Sequence, residues 1–243
     1  MITNQPGAGP ERVAPTGVRN FRDAGGVGSL PRGVLYRSAA LHALHALHGL
    51  HGLHGLHGLS AEGTDTLRRL GLRTVVDLRS DPEVAERPDA VDLVDARYLH
   101  APVFAERRWP ADQLELYPLM AERAGTAAVA VLRRLLADGG EAAPVLVHCA
   151  SGKDRTGVVV AVLQTLLGAS EAEVLQDFLR SNDELGLTDP PPAGAAHNAL
   201  PVREVHLRRA LLSIRSHHGS VAEYFLAHGA RASELAAARR IPA

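Results

Sequence analysis

The sequence predicts an α/β fold in which a central parallel sheet of four or five strands is flanked by helices, with extra helices toward the C-terminus. Three observations support this prediction. Apolar runs rich in β-branched residues, at 73–78 and 145–148, are typical of short buried strands. Stretches with helical apolar spacing separate these runs and follow them. Strands that alternate with helices form parallel sheets.

The elements that precede the predicted strand at 145–148 occur in the following order along the chain. The VLY run at 34–36 is a predicted strand after a glycine-containing segment. The segment 61–70 is a predicted helix that Gly71 stops, and the run at 73–78 is the next strand. One or two helices fill 113–137, because apolar residues recur there at helical spacing until the sequence Asp-Gly-Gly.

The elements after the 145–148 strand are mainly helical. A strongly apolar helix is predicted over 156–167, with Gly168 behind it. Ser170 and Glu173 form a capping box that begins another helix. The region 188–201 is rich in proline and glycine and is a predicted loop. Further helices are predicted at 201–216, at 219–228 and up to residue 240.

The size and charge of the chain set limits on its function. Its 243 residues suit a single domain at 18–243, after a flexible tail at 1–17. With 26 basic and 27 acidic side chains, no overall field favours nucleic acid as a partner. The sequence contains no run of about 18 apolar residues, so we expect no stable membrane insertion. We expect a cytoplasmic protein, with export lacking a recognisable signal peptide as the alternative.

A three-residue repeat of Leu-His-Ala or Leu-His-Gly fills residues 41–59. Leucine at every third position drifts by about 60° per step around an α-helix, so the repeat builds no stable apolar stripe. We interpret it as a low-complexity insertion. Its six histidines lack the mixed spacing and the carboxylate partners of a built metal site, and we expect no physiological metal there.

The segment HCASGKDRTG at 148–157 carries the chemistry, because it joins a buried strand to an apolar helix. Such a turn directs backbone amides and the positive end of a helix dipole at one point, which forms an anion-binding cradle. Cys149 begins the cradle, and Arg155 ends it as a bidentate clamp for phosphate oxygens. The other predicted substrate-binding residues are Ala150, Ser151, Gly152, Lys153 and Thr156.

The same field stabilises a thiolate, so Cys149 is the predicted nucleophile. We expect Lys153 at the rim of the cradle, and Thr156 either donates to the sulfur or caps the helix. A cysteine after a strand is commonly an apolar filler, but small, cationic and helix-opening residues follow this one. A nucleotide-binding P-loop is excluded because Gly152-Lys153 is followed by Asp154 rather than serine or threonine.

The loop resembles the Cys-x5-Arg signature of protein tyrosine phosphatases, and its Gly-Lys-Asp-Arg-Thr-Gly form resembles the atypical bacterial members of the mycobacterial secreted type. Four other segments resemble the same group: NFRDAGG at 20–26, YRSAAL at 36–41, VVDLRS at 75–80 and GSVAEY at 219–224. The resemblance spans most of 18–240 apart from the histidine repeat. It implies a tyrosine phosphatase-like fold and a phosphatase activity that needs no metal or other cofactor.

The general acid that protonates the leaving oxygen has three candidates. Asp81 follows the end of the 73–78 strand, where parallel-sheet sites form, and is our first choice. Asp154 lies inside the cradle, and the resemblance implies a catalytic or substrate-orienting role for it. Asp112, in the sequence Trp-Pro-Ala-Asp, only superficially matches the acid loop of larger tyrosine phosphatases.

The predicted function is hydrolysis of phosphotyrosine in proteins through a phosphocysteine intermediate, with phosphoserine and phosphothreonine as further substrates. The sequence leaves three alternatives open. One is a dedicated phosphoinositide phosphatase with the same loop. The second is a non-catalytic phosphate-binding module, which has no need of a reactive thiolate. The third, sulfur transfer of the rhodanese type, ranks last because its active loop is generally one residue shorter.

Overall fold

The structure, a computed structural model, describes residues 14–42, 59–137 and 143–241. The predictions for residues 1–13 and for most of the histidine repeat, at 43–58, therefore concern parts of the chain outside the described residues. Within the described ranges no helix has both the length and the apolar character needed to cross a membrane.

A five-stranded sheet forms the centre of the molecule, with the strand order β1-β2-β5-β3-β4. Strands β2, β5, β3 and β4 are parallel, and β1 is an antiparallel edge strand that pairs with β2. The strand β5 is therefore central, between β2 and β3. The strands are β1 (Arg22–Asp23), β2 (Leu35–Ser38), β3 (Thr74–Asp77), β4 (Arg97–His100) and β5 (Val145–His148).

Helices cover both faces of this sheet, and several are capped as the sequence predicts. Ser60 caps the first helix by accepting a hydrogen bond from the Gly63 amide, and Ser170 with Glu173 forms the predicted capping box. The helices are α1 (Ala61–Arg69), α2 (Asp81–Glu86), α3 (Gln113–Arg123), α4 (Gly125–Leu136), α5 (Asp154–Leu166), α6 (Glu171–Leu185), α7 (Glu204–His218), α8 (Val221–Ala227) and α9 (Ala232–Ala238).

Two apolar clusters lie on opposite faces of the sheet, and the alternation of side chains along each strand divides the residues between them. In β5, Val145 and Val147 belong to the larger cluster, which includes residues of α3 to α8. Leu146 belongs to the smaller cluster with Leu67 of α1. Because β5 is apolar on both faces, it is buried throughout.

The described residues on the two sides of 43–58 contact each other. The amide of Leu59 donates to the carbonyl of His42 at 2.7 Å. The amide of Leu41 donates to the Asp89 carboxylate at 2.8 Å, and Leu41 in turn accepts from the amide of Ala90 at 2.8 Å. The two residues that flank 43–58 are thus joined directly by a backbone hydrogen bond.

The predicted α/β architecture is confirmed, including the parallel strands and the additional C-terminal helices. The 145–148 strand matches residue for residue. Two strands were not predicted. The strand β1 has only two residues, and β4 is half-exposed, so it lacks the continuous apolar run that marks a buried strand.

Candidate active site

The loop between β5 and α5 lies beyond the carboxyl end of the central strand. Gly152 allows its tight path: it has a φ of +68°, and a Cβ there would lie 2.1 Å from the carbonyl oxygen of Ser38. The chain then enters α5 at Asp154. Because α5 is buried along most of its length, its N-terminus is held rigidly beneath the loop.

The carbonyl groups of this loop are bonded to residues outside it. The Asn20 side-chain amide donates to the Ser151 carbonyl at 3.0 Å, and the Arg37 guanidinium donates to the Gly152 carbonyl at 2.8 Å. By contrast, the backbone amides of Ser151, Gly152 and Lys153 donate to no residue that the structure describes. Free amides next to a helix N-terminus form an anion-binding cradle.

Cys149 lies at the floor of the cradle and is only 2% exposed. Burial raises the pKa of its thiol, but the charge of Arg155 and, after it, the adjacent polar groups of Thr156 outweigh that effect. The resulting pKa lies below the ordinary value for cysteine. The thiolate is therefore favoured, as a nucleophile requires.

Arg155 is held in a bidentate ion pair that no pattern in the sequence indicates. Its two terminal nitrogens donate to the Glu83 carboxylate at 2.5 and 2.8 Å. Glu83 also accepts from the amide and hydroxyl of Ser80, its partner in a capping box at the start of α2. Burial raises the pKa of Glu83, but Arg155 and Ser80 lower it to about 2, so the carboxylate is charged. Glu83 thus orients the guanidinium at the cavity.

Asp154 lies beside the nucleophile and has a fixed orientation. The Tyr117 hydroxyl, fully buried in α3, donates to Asp154 Oδ1 at 2.6 Å. The other carboxylate oxygen, Oδ2, lies 3.6 Å from Lys153 Nζ and 3.8 Å from His197 Nε2. Burial lowers the pKa of His197, so this imidazole is neutral near neutral pH.

Lys153 is buried, whereas we expected it at the rim of the cradle. Its ammonium group donates to the carbonyl of Leu200. Lys153 therefore links the cradle to the loop between α6 and α7.

One cavity of about 240 Å³ brings the nucleophile, the clamp and one candidate acid together. Apolar and aromatic side chains form much of its wall, and the Trp109 ring lies 5.3 Å from the Arg155 guanidinium carbon. The cavity is lined by Glu83, Phe104, Arg107, Trp109, Leu116, Met120, Cys149, Ser151, Asp154, Arg155, Ala196, His197 and Asn198.

Asp81, the first-choice acid from the sequence, does not line this cavity. Its side chain is 70% exposed at the start of α2, and its carboxylate lies 3.7 Å from His100 Nδ1. Asp112 also lies outside the cavity and caps α3 by accepting from the Leu114 amide at 2.8 Å. Of the three candidates, Asp154 alone shares the cavity with Cys149.

Among the described residues, Asp77, Asp89 and His148 form the one group whose ligand atoms lie close enough together for a metal ion. The Arg79 guanidinium lies 2.6 Å from Asp77 and 2.9 Å from Asp89. Burial lowers the pKa of His148, but the two carboxylates raise it to about 9, so it is also a cation. Because two cations already neutralise the two carboxylates, this cluster does not fit a metal ion.

A low-pKa cysteine, an arginine six positions later and an amide-lined cradle on an α/β sheet together define a cysteine-dependent phosphatase. The comparisons with known proteins agree. The model of the tyrosine phosphatase family matches residues 53–241, and the chain belongs to this family.

Bacterial phosphatases are among the proteins similar to this chain. The triple specificity protein phosphatase PtpB of Mycobacterium tuberculosis is 30% identical over 211 residues, which cover 70% of this chain and 68% of PtpB. A putative tyrosine-protein phosphatase of Cupriavidus necator is 29% identical over 237 residues, or 85% of this chain and 80% of the relative. Among solved structures, TpbA of P. aeruginosa aligns over 87% of this chain and 92% of its own, with 21% identity and a TM-score of 0.43.

Proposed function

We propose that this enzyme hydrolyses phosphotyrosine esters through a phosphocysteine intermediate, with Cys149 as nucleophile and Asp154 as general acid and base. One observation carries the proposal: Cys149, Arg155 and Asp154 line the same cavity of about 240 Å³. The aromatic and apolar wall of that cavity, which includes Phe104 and Trp109, suits the ring of an aryl phosphate.

In the first step the Cys149 thiolate attacks phosphorus, and the bond from phosphorus to the phenolic oxygen breaks. Protonated Asp154 donates its proton to that oxygen, which leaves as the neutral phenol. The Arg155 guanidinium and the free amides of the loop stabilise the charge on the transferring phosphoryl group, so no metal ion is needed for that purpose.

In the second step water attacks the phosphorus of phosphocysteine, and Asp154 removes the proton of the water. The bond between sulfur and phosphorus breaks, and phosphate and the thiolate are released. Tyr117 keeps the carboxylate in one orientation in both steps because it bonds the oxygen Oδ1.

The experiment is hydrolysis of aryl phosphates by the wild type and by Cys149→Ser, Asp154→Asn and Asp81→Asn. We expect Cys149→Ser to be inactive and Asp154→Asn to lose roughly 10²–10⁴-fold in kcat. That loss shrinks with a leaving phenol of low pKa, which needs no proton. Asp81→Asn retains wild-type activity. A full-rate Asp154→Asn enzyme contradicts the assignment of the acid.

The name of the Mycobacterium tuberculosis relative, a triple specificity phosphatase, supports a test of substrates beyond phosphotyrosine. We propose a preference for phosphotyrosine because aromatic and apolar side chains line much of the cavity. Matched phosphoserine and phosphothreonine peptides and phosphoinositides form the comparison panel. Higher kcat/KM on phosphoinositides than on phosphotyrosine peptides contradicts this preference and favours a lipid phosphatase.

A further inference from the structure

A second cavity, of about 530 Å³, lies beside the catalytic cavity and shares Ser151, Ala196 and Asn198 with it. We call it the flanking groove. It also includes Ala150, the residue directly after the nucleophile, and consecutive Cα atoms are about 3.8 Å apart. The flanking groove therefore begins immediately next to the point where phosphate binds.

The flanking groove is cationic. Arg19 and Arg87 line it, and no aspartate or glutamate among the described residues does so. One nitrogen of the Arg19 guanidinium donates to the Leu185 carbonyl at 2.7 Å, which leaves its other donors available. The Arg87 side chain is 41% exposed, and its contact with the neighbouring Glu86 is long, at 4.0 Å. Two cations thus face a groove that is lined by no carboxylate from the described part of the chain.

We propose that the flanking groove binds an acidic side chain of the phosphopeptide substrate, within about three positions of the phosphotyrosine. This proposal rests on the proposed function, because the phosphotyrosine ring must occupy the catalytic cavity. Neighbouring residues of an extended peptide are about 3.3–3.6 Å apart, so a nearby carboxylate reaches Arg19 or Arg87.

The shape of the flanking groove favours a peptide over a lipid head group. Its volume is more than twice that of the catalytic cavity. Apolar residues, including Leu187 and Ala199, line it together with the two arginines. Apolar surface beside cations suits the mixed side chains of a peptide, whereas a polyhydroxylated head group offers nothing for the apolar part to contact.

The test uses two phosphotyrosine peptides that differ only in having glutamates or glutamines beside the phosphotyrosine. The variants are Arg87→Gln, Arg19→Gln and the double variant. Arg240→Gln is the matched control, because Arg240 is exposed and forms no ion pair with a described residue. An aryl phosphate without a peptide reports the basal activity, which neither Arg19 nor Arg87 contributes to directly.

We expect the wild type to favour the acidic peptide by about 5- to 10-fold in kcat/KM, mainly through KM. Each single variant loses part of this preference and the double variant loses all of it, while hydrolysis of the aryl phosphate is unchanged. Arg240→Gln keeps the preference. Because exposed ion pairs are screened, 0.5 M salt also reduces it.

Several outcomes overturn the proposal. Equal rates on the two peptides overturn it and leave the proposed function intact. If the arginine variants lose activity only on vesicles that contain phosphoinositides, the two arginines bind a lipid head group instead of a peptide. Inactivity on every aryl phosphate defeats the proposed function itself. If Arg19→Gln unfolds because its bond to Leu185 is lost, Arg87→Gln alone decides the matter.

Discussion

Two clusters of buried charge lie on the two sides of the central strand, and they differ in composition. The Asp177 cluster consists of Arg22, Arg37 and Asp177. One carboxylate serves both arginines, at 2.7 Å from Arg22 and 2.5 Å from Arg37. Burial and the neighbouring Arg37 lower the pKa of Arg22 to about 10, so the Arg22 guanidinium is charged at neutral pH. This cluster has a formal charge of +1.

The Asp77 cluster consists of Asp77, Arg79, Asp89 and His148. Two carboxylates face the Arg79 guanidinium, and His148 Nε2 lies 3.0 Å from Asp89. Because the pKa of His148 is raised to about 9, the imidazole is charged and this cluster is neutral.

The two clusters, which differ in net charge, bond different parts of the backbone around the site. Arg37 of the Asp177 cluster bonds the Gly152 carbonyl, so the excess positive charge lies directly behind the phosphate cradle. The Asp77 cluster bonds the ends of strands: the Arg79 amide donates to Asp77, and His148 contacts the carbonyl of Cys149. We infer that the Asp177 cluster adds to the field that binds phosphate, whereas the Asp77 cluster fixes the shape of the sheet end.

The largest difference is expected from removing one carboxylate in each cluster. Asp177→Asn removes the carboxylate that two buried arginines share, and we expect it to reduce the free energy of unfolding by about 3–5 kcal/mol. Asp89→Asn is expected to cost about half as much, because His148 can become neutral. Urea unfolding at pH 7 measures both changes. Equal losses of unfolding free energy in the two variants contradict the difference in charge between the two clusters.

A pH series tests the charge on His148. Its pKa is about 9 in the folded protein and about 6.5 when unfolded. A raised folded pKa means that the stabilisation is complete below pH 6.5 and is lost as pH rises through 9. We expect the free energy of unfolding to fall by an amount on the order of 3 kcal/mol from pH 6 to pH 10. Most of this fall occurs below pH 10, which is about the pKa of Arg22.

His148→Gln is the control for this series. It is less stable than the wild type at pH 6, and its stability changes less over the same pH range. A wild type whose free energy of unfolding stays constant between pH 6 and pH 9.5 contradicts a buried imidazolium. The Asp77 cluster would then carry a net negative charge.

The smallest effect is expected from the Asn20 contact with the cradle. Asn20 has a φ of 55°, so Asn20→Gly keeps the left-handed backbone. It removes the side-chain amide whose nitrogen donates to the Ser151 carbonyl and whose oxygen accepts from Arg22. We expect about a 3- to 10-fold loss in kcat/KM from the lost bond to Ser151, the equivalent of one hydrogen bond. Asn20→Ala loses the same bond and is further destabilised by about 1–2 kcal/mol through its backbone. Unchanged kinetics for Asn20→Gly imply that the Ser151 carbonyl needs no partner.

The sequence was sufficient to predict the features that depend on local pattern. The β5 strand, the glycine-containing loop and the α5 helix form one continuous segment, so their order alone places Cys149 and Arg155 together. The resemblance to tyrosine phosphatases pointed to the same loop. The match to the family model confirms the resemblance.

The remaining site residues depend on packing between distant segments, which the sequence does not display. Glu83 lies 72 positions from Arg155, and Tyr117 lies 37 positions from Asp154. Asp81 and Glu83 illustrate the difficulty, because side chains two positions apart on a helix face different directions. Of these two α2 residues, Asp81 is exposed and Glu83 is buried. The pattern Ser80-x-x-Glu83 was a readable capping signal, but nothing in it indicates an arginine partner.

The hydrogen bond between Leu59 and His42 has a consequence for how the length of this chain can vary. Most of the repeat, residues 43–58, lies in sequence between two residues that are bonded to each other, so adding or removing triplets there need not move any strand. Closing a longer loop costs only about 0.6 kcal/mol for each doubling of its length. We therefore expect the domain to keep its fold when triplets are added or removed between His42 and Leu59, because this hydrogen bond already joins the two residues.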